Sequence, residues 1–389
     1  MKIKLLFLFL MLPFLFYAQK KDLAKTPPMG WNTWNYFKCD FDENVLKKIA
    51  DVMVSSGMRD AGYEYLVIDD CWQIDRDKNG ILIADPDKFP NGMKAFADYV
   101  HSKGLKLGIY SDAGYQTCQE RPGSYGYEEI DAKTFAEWGV DYLKLDWCHH
   151  KKLKPEPTYA RMGKALYNTN RDIVFSICNW GVKDPWKWAP EIAHLWRTTG
   201  DISASFDNKK KPAFLNSVLG ITDKQAGLFP YAKQGAWNDP DMLEVGNGLS
   251  YDEGKAHFTL WCMMAAPLIA GNDLTKMSSE TMDILLNKEL IAIDQDTTGK
   301  QGYKVKEDGS PECWIKPLHN GEYAICFLNR SDNAVNYMIN WGNIVPGNEM
   351  FMVRDLWKHE TLSRSDVEMN INIPAHGIQA YRLMRTKNQ

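Results

Sequence analysis

Eight aspartates and six tryptophans recur in one local setting along this chain of 389 residues. Asp69, Asp70, Asp112, Asp146, Asp201, Asp239, Asp241 and Asp273 stand at or just past the ends of strand-like runs, interleaved with Trp31, Trp34, Trp72, Trp147, Trp180 and Trp237. In "DYLKLDW" the strand period of two puts Lys144 and Asp146 on one face. Two chemistries need many carboxylates in one cleft. A divalent metal takes oxygen ligands. Glycoside hydrolysis needs two carboxylates for the reaction and leaves the others to hold sugar hydroxyls. Tryptophan favours the second, because indole faces pack against the C–H faces of sugar rings. Asp112 and Asp273 could equally serve as helix caps. His149 and His150 precede Lys151 and Lys152 in a loop and read as solvated side chains rather than ligands. A sugar-binding protein without catalysis is a third reading, but such a protein is expected to lose one catalytic acid.

The elements that must position these residues repeat one plan. Asp42 caps a helix with Leu46, Ile49 and Met53 on one face, Gly57 stops it, and "YEYLVIDD" follows as a strand. "FADYVHSKG" then leads to "LKLGIYSD", and "DAKTFAEWG" to "VDYLKLDW". Further strand candidates are "DIVFSICNW", "HLWRTTGD", "QGAWNDPDM" and "APLIAGND", and "PPMGWNTW" at the start makes eight. Short links between alternating helices and strands imply parallel strands with right-handed crossovers. Eight units predict an α/β fold, a (β/α)8 barrel over 24–300, whose chemistry belongs at the C-terminal strand ends. No G-x-G-x-x-G follows a strand, which excludes a dinucleotide fingerprint. From 301 to 389 short alternating strands predict a small antiparallel β-sandwich with no chemistry of its own.

Residues 1–18 read as a signal peptide, with Lys2 and Lys4 before an apolar run from Leu5 to Tyr17 and cleavage after Ala18. No cysteine lies near the cut to carry a lipid. The mature protein is expected to be exported, periplasmic or secreted, and free of the membrane. The net charge of −4, from 46 basic and 50 acidic residues, gives no reason to expect nucleic acid as a partner. Nothing in the sequence sets an oligomeric state. Eight cysteines without a C-x-x-C pair argue against a zinc ribbon. Cys313 and Cys326 flank a turn at Asn320-Gly321 whose register would set Ile315 opposite Cys326, so these two read as free core thiols.

At the strand ends the chain resembles glycoside hydrolase family 27, which holds α-galactosidases and α-N-acetylgalactosaminidases. The motifs are "PPMGWNTWN", "DAGYEYLVIDDCW", "YVHSKGLKLGIYSDAG", "DYLKLDWC", "LWRTTGDI" and "WNDPDMLEVGNG". The resemblance implies a retaining exo-α-galactosidase acting on galactose-containing saccharides without cofactor or metal. It places the nucleophile on Asp146 and the acid/base on Asp201. It implies that Trp34 stacks on the sugar, that Asp69 and Asp70 bind the 4- and 6-hydroxyls, and that Lys144 and Tyr110 line the pocket. Arg197 and Asp241 are expected near the 2-hydroxyl, and disulfides at Cys39–Cys71 and Cys118–Cys148. Asn179 stands where α-galactosidases of the family usually carry a glutamate that reads the 2-hydroxyl. Family members acting on α-N-acetylgalactosaminides or β-L-arabinopyranosides are the alternatives, and the intact Asp69-Asp70 pair argues against the latter.

A retaining mechanism sets the two carboxyls about 5–5.5 Å apart. Lys144 is expected to keep Asp146 ionised, and Asp201 to sit in a drier or more negative place that keeps it protonated.

Overall fold

The structure, a computed structural model, describes residues 22–207, 216–306, 311–345, 347 and 349–386. The expected signal peptide lies outside them.

All eight strand candidates form strands: β1 (Met29–Asn32), β2 (Tyr65–Ile68), β3 (Lys106–Asp112), β4 (Tyr142–Asp146), β5 (Val174–Ile177), β6 (Leu195–Arg197), β7 (Trp237–Asp239) and β8 (Leu268–Ala270). They make one parallel sheet in the order β8-β1-β2-β3-β4-β5-β6-β7. Just past β7, Leu243 pairs in parallel with Ala270 of β8 and its N–H donates to Ile269, so the sheet curls round on itself. Both faces are buried, as a parallel barrel requires. Inward positions Tyr65, Val67, Tyr142, Val174, Leu195 and Trp237 pack together, and outward Leu66, Ile68, Leu143, Leu145 and Ile177 join the main core.

The helices follow the capping chemistry in their sequences. Asp42 accepts from the N–H groups of Asn44 and Val45 to start α2 (Glu43–Ser55), which buries Leu46, Ile49, Ala50 and Met53. The helix before β4, α4 (Glu128–Trp138), ends at Gly139 with φ 87°, a left-handed conformation suited to glycine. Other helices that matter below are the one-turn α1 (Trp34–Phe37) and α3 (Gly92–Ser102), α5 (Pro155–Asn168), α6 (Val218–Gln225) and α7 (Tyr251–Met263). A hairpin of Gln73–Arg76 and Leu82–Ala84, inserted after β2, went unread in the sequence.

Beyond 301 the chain forms β9 (Tyr303–Lys306), β10 (Glu312–Pro317), β11 (Tyr323–Leu328), β12 (Val335–Ile339), β13 (Phe351–Asp355), β14 (Glu360–Arg364), β15 (Met369–Ile373) and β16 (Ile378–Arg385). The larger sheet runs β9-β10-β11-β16-β13-β14, and β12 pairs with β15. The hairpin register differs from the sequence reading. Trp314, not Ile315, lies opposite Cys326, because Pro317 and Tyr323 close a loop of residues 318–322 around the Asn320-Gly321 turn. Cys313 and Cys326 are buried and outside any disulfide, as expected, and so are Cys178 and Cys262. Both expected disulfides are present.

Candidate active site

At the C-terminal ends of the barrel strands lies a cavity of about 110 Å³, and five of the eight strand-end aspartates line it: Asp69, Asp70, Asp146, Asp201 and Asp241. Trp34, Tyr110, Lys144 and Arg197 join them. Strand geometry accounts for the convergence. β3 and β4 pair in register with Tyr110 beside Lys144, and the period of two carries Lys144 and Asp146 to the same side.

Hydrogen bonds fix these groups. Asp69 receives Asn32 Nδ2 at 2.9 Å and Lys144 Nζ at 2.7 Å on the same carboxylate oxygen. Asp70 receives the N–H groups of Cys71 and Gln119. Asp146 accepts from the Tyr110 hydroxyl at 3.2 Å and from the Trp147 N–H at 2.9 Å. The buried Arg197 guanidinium spans two acids, Asp241 at 2.7 Å and Asp201 at 3.0 Å.

The charge tuning differs from the sequence expectation in two respects. Burial pushes the Asp146 carboxyl up to about 7, Lys144 only opposes that rise, and Asp201 and Asp69 add to it. Lys144 therefore moderates the proton affinity of Asp146 without bringing it into the ordinary carboxylate range, and its direct ion pair is with Asp69. Asp201 is not in a dry place, although it does stand near the carboxyls of Asp146 and Asp241. Its side chain is 46% exposed and its charged partner is the cation Arg197. Burial also raises Asp70 and Asp241, against hydrogen bonds for the first and Arg197 for the second.

The tryptophan argument is corrected as well. Of the six strand-end tryptophans only Trp34 lines the cavity. Trp31, Trp72, Trp147 and Trp237 are core side chains at 0–1% exposure. Their indole N–H groups reach carbonyls such as Asn272 O, Tyr110 O and Ala24 O for Trp31, Trp72 and Trp237. Trp147 stacks between Tyr159 and His150, so His150 is a packed ring rather than a solvated one.

Asn179 is fully buried and does not line the cavity. Its Nδ2 donates to Val182 O at 2.7 Å, and its Oδ1 has no protein partner. Asp273 caps the short turn at Leu274–Lys276 by accepting from Thr275. Asp112 accepts from Gly114 N and Cys148 N and holds two strand exits together. Asp239, pushed up to about 6 by burial, accepts from the Asp241 N–H.

Among the described residues, one group has the spacing of a metal site: Asp112, Cys118, Asp146 and Cys148. Its two sulfurs are bonded to each other and offer no thiolate. Sequence reading missed Asn35, Lys38, Ile202 and Met242 in the cavity wall, and named Cys118 only as a disulfide partner. None of these residue types signals chemistry by itself. Only their proximity to motif residues could have marked them.

Compared with known proteins, residues 26–296 match the family model described as "Alpha galactosidase A", and residues 308–383 match the "Alpha galactosidase C-terminal beta sandwich domain". The chain belongs to the α-galactosidase family, glycoside hydrolase family 27. Within this α-galactosidase family, the chain is 52% identical to "Alpha-galactosidase A" of Cellvibrio japonicus, over 94% of each chain. The fold is similar to that of alpha-galactosidase I from Mortierella vinacea, with a TM-score of 0.91, 39% identity and coverage of 95% of this chain and 99% of that one. It is also similar to the Saccharomyces cerevisiae enzyme solved with raffinose, with a TM-score of 0.90, 32% identity and coverage of 94% and 99%.

Proposed function

We propose that this protein is a retaining exo-glycosidase that hydrolyses terminal α-D-galactosyl residues of saccharides. The observation that carries the reading is the convergence of Asp146 and Asp201 on one cavity whose buried end presents Asp69, Asp70 and Lys144. Asp201 lies near enough to raise the proton affinity of Asp146.

Asp146 attacks the anomeric carbon and displaces the leaving group. Asp201 delivers its proton to the departing oxygen, and a β-galactosyl ester forms on Asp146. Asp201, now ionised, takes a proton from water as that water attacks the same carbon and releases galactose with its α configuration. Asp69, Asp70 and Lys144 hold the galactose hydroxyls at the closed end, and Trp34 packs on the ring. The substrate is thereby fixed before reaction. The Tyr110 hydroxyl, which donates to Asp146, orients the attacking carboxylate. Arg197 pairs with Asp201 at 3.0 Å and so holds the proton donor beside the leaving-group side of the cavity.

The decisive variant is Asp146→Asn. It should retain galactose binding and lower kcat on a nitrophenyl α-galactoside by about 10³-fold or more, on the scale of removing a covalent nucleophile. Near-parental turnover would sink the assignment. A panel of nitrophenyl α-galactoside, α-N-acetylgalactosaminide and β-L-arabinopyranoside is expected to favour the first. Two disulfides suit an oxidising compartment, and no helix among the described residues is long and apolar enough to cross a membrane. Both fit an exported enzyme, periplasmic or secreted.

A further inference from the structure

The cavity has a closed end and an open end, and the two carry different chemistry. Asp69, Asp70, Tyr110, Asp146, Arg197 and Asp241 are all buried. Trp34 and Asn35 are half-buried, Lys38 is exposed, and the Asp201 side chain is 46% exposed. An exo-acting enzyme binds the terminal sugar at the closed end. The oxygen that Asp201 protonates, and the group attached to it, must therefore lie at the open end.

Two lysines line this cavity, and their situations are opposite. Lys144 is 13% exposed and committed to Asp69 at 2.7 Å. Lys38 takes part in none of the ion pairs or side-chain hydrogen bonds found among the described residues. Its ammonium stands 4.9 Å from the centroid of the Trp34 ring. Its backbone is held. The Lys38 N–H donates to Trp34 O at 3.1 Å, φ is 51°, and the next residue, Cys39, is tied to Cys71. The turn below it is pinned to the segment that follows β7: Asn35 Nδ2 donates to the buried Glu244 at 2.7 Å, and Asn247 holds the other oxygen of Glu244. A cation with three donors and a fixed base thus stands at the mouth outside any ion pair, its charge acting on the buried Glu244 only through space.

We propose that Lys38 is a specificity-determining residue that donates hydrogen bonds to the leaving sugar, so that the open end of this site selects a neutral, hydroxyl-rich leaving group over a flat aryl one. The inference rests on Asp201 as proton donor. Five carboxylates line the same cavity against three cations, Lys38, Lys144 and Arg197, which disfavours an anionic leaving group. Hydroxyl and ring oxygens accept from an ammonium. A nitrophenyl ring offers fewer acceptors at that distance and leaves the ammonium on Trp34.

The test compares kcat/KM on melibiose, a neutral disaccharide ending in α-galactose, with kcat/KM on 4-nitrophenyl α-galactoside, using the full chain. Lys38 is exposed, so Lys38→Met keeps the stem on Trp34 and removes only the donors. The ratio of melibiose to aryl kcat/KM should fall about tenfold, the scale of one charge-assisted hydrogen bond. Lys38→Arg should restore at least half of that loss, and Ki for free galactose should stay at the parental value. A ratio within twofold of the parent overturns the proposal, as does equal loss in the Met and Arg variants. A rise in Ki for galactose matching the loss would show that Lys38 acts through Trp34 on the glycone, and would also overturn it. If the parent turned over neither substrate, the hydrolase reading itself would fall. An unchanged ratio beside normal parental turnover removes Lys38 alone.

Discussion

Burial works against the chemistry asked of Asp146. The reaction needs the carboxylate, yet desolvation lifts its pKa to about 7, with Lys144 pulling it down and Asp201 and Asp69 pushing it up. The acidic limb of kcat/KM reports the ionisation of essential groups in the free enzyme. It should therefore lie above the usual carboxylate range, near 7. The sign for Lys144 follows directly. Removing its charge leaves burial and the neighbouring acids unopposed, so Lys144→Met should move that limb to higher pH while raising KM through the loss of the Asp69 partner. A pH profile from 4 to 9 on the aryl galactoside decides it. A limb that stays in place or moves down would contradict the direction.

At the scale of elements, the site depends on how closely the exits of β3 and β4 approach each other. Asp112 at the end of β3 bonds Gly114 N at 2.6 Å and Cys148 N at 2.7 Å, and Ala113 N donates to Asp146 O at 2.9 Å. The Cys118–Cys148 disulfide closes the same junction, and Cys118 Sγ lies 3.6 Å from an Asp146 oxygen. Gly114 is where the two exits nearly touch. A Cβ there would overlap the Cys148 carbonyl oxygen and press on the Asp112 carboxylate. Gly114→Ala should cost about 1–3 kcal/mol of stability, the range for overpacking. Because the displaced backbone carries Asp146, kcat should fall as well. Thermal melts and steady-state kinetics on the same variant measure both, and a variant with parental Tm and kcat would show that the junction has slack.

At the scale of the molecule, barrel and sandwich share one core. Trp314, Leu318, Ala324, Cys326, Leu328, Leu356, Ile378 and Ala380 from the sandwich belong to the same buried cluster as Phe258, Leu260, Trp261 and Cys262 of α7. Polar contacts cross the join too. Gly302 N donates to Met263 O at 2.7 Å, the buried Lys316 ammonium to Cys262 O at 3.0 Å, and Asn287 Nδ2 to Leu356 O at 3.0 Å. α7 is buried along nearly its whole length because it has the barrel on one side and the sandwich on the other. A continuous dry interface of this kind couples the two parts, so calorimetry should show one cooperative unfolding transition. A resolved low-temperature transition for the sandwich alone would mean that the shared core carries little of the stability.

The sequence by itself determined the eight barrel strands, the helix stops at Gly57, Gly104 and Gly139, and the grouping of acids at strand ends. Each of these follows from local periodicity and backbone conformation, which a sequence states directly. The motifs also identified both disulfides and, Asn179 apart, named residues that line the cavity, while missing Asn35, Lys38, Ile202 and Met242. Tertiary structure alone decided which strand-end side chains face the cavity. Trp31, Trp72, Trp147 and Trp237 look like sugar-stacking residues in the sequence, but the barrel needed them as core, since a large indole at a strand exit can turn inward as readily as outward. Charge tuning was likewise invisible. Lys144 is committed to Asp69, Asp201 is open to water beside Arg197, and burial dominates at Asp146, because proton affinity depends on distances and desolvation that arise only when distant segments meet. Lys38 belongs to the same class: its sequence neighbours show a lysine in a loop, and only the closed barrel places its ammonium at the mouth of the cavity.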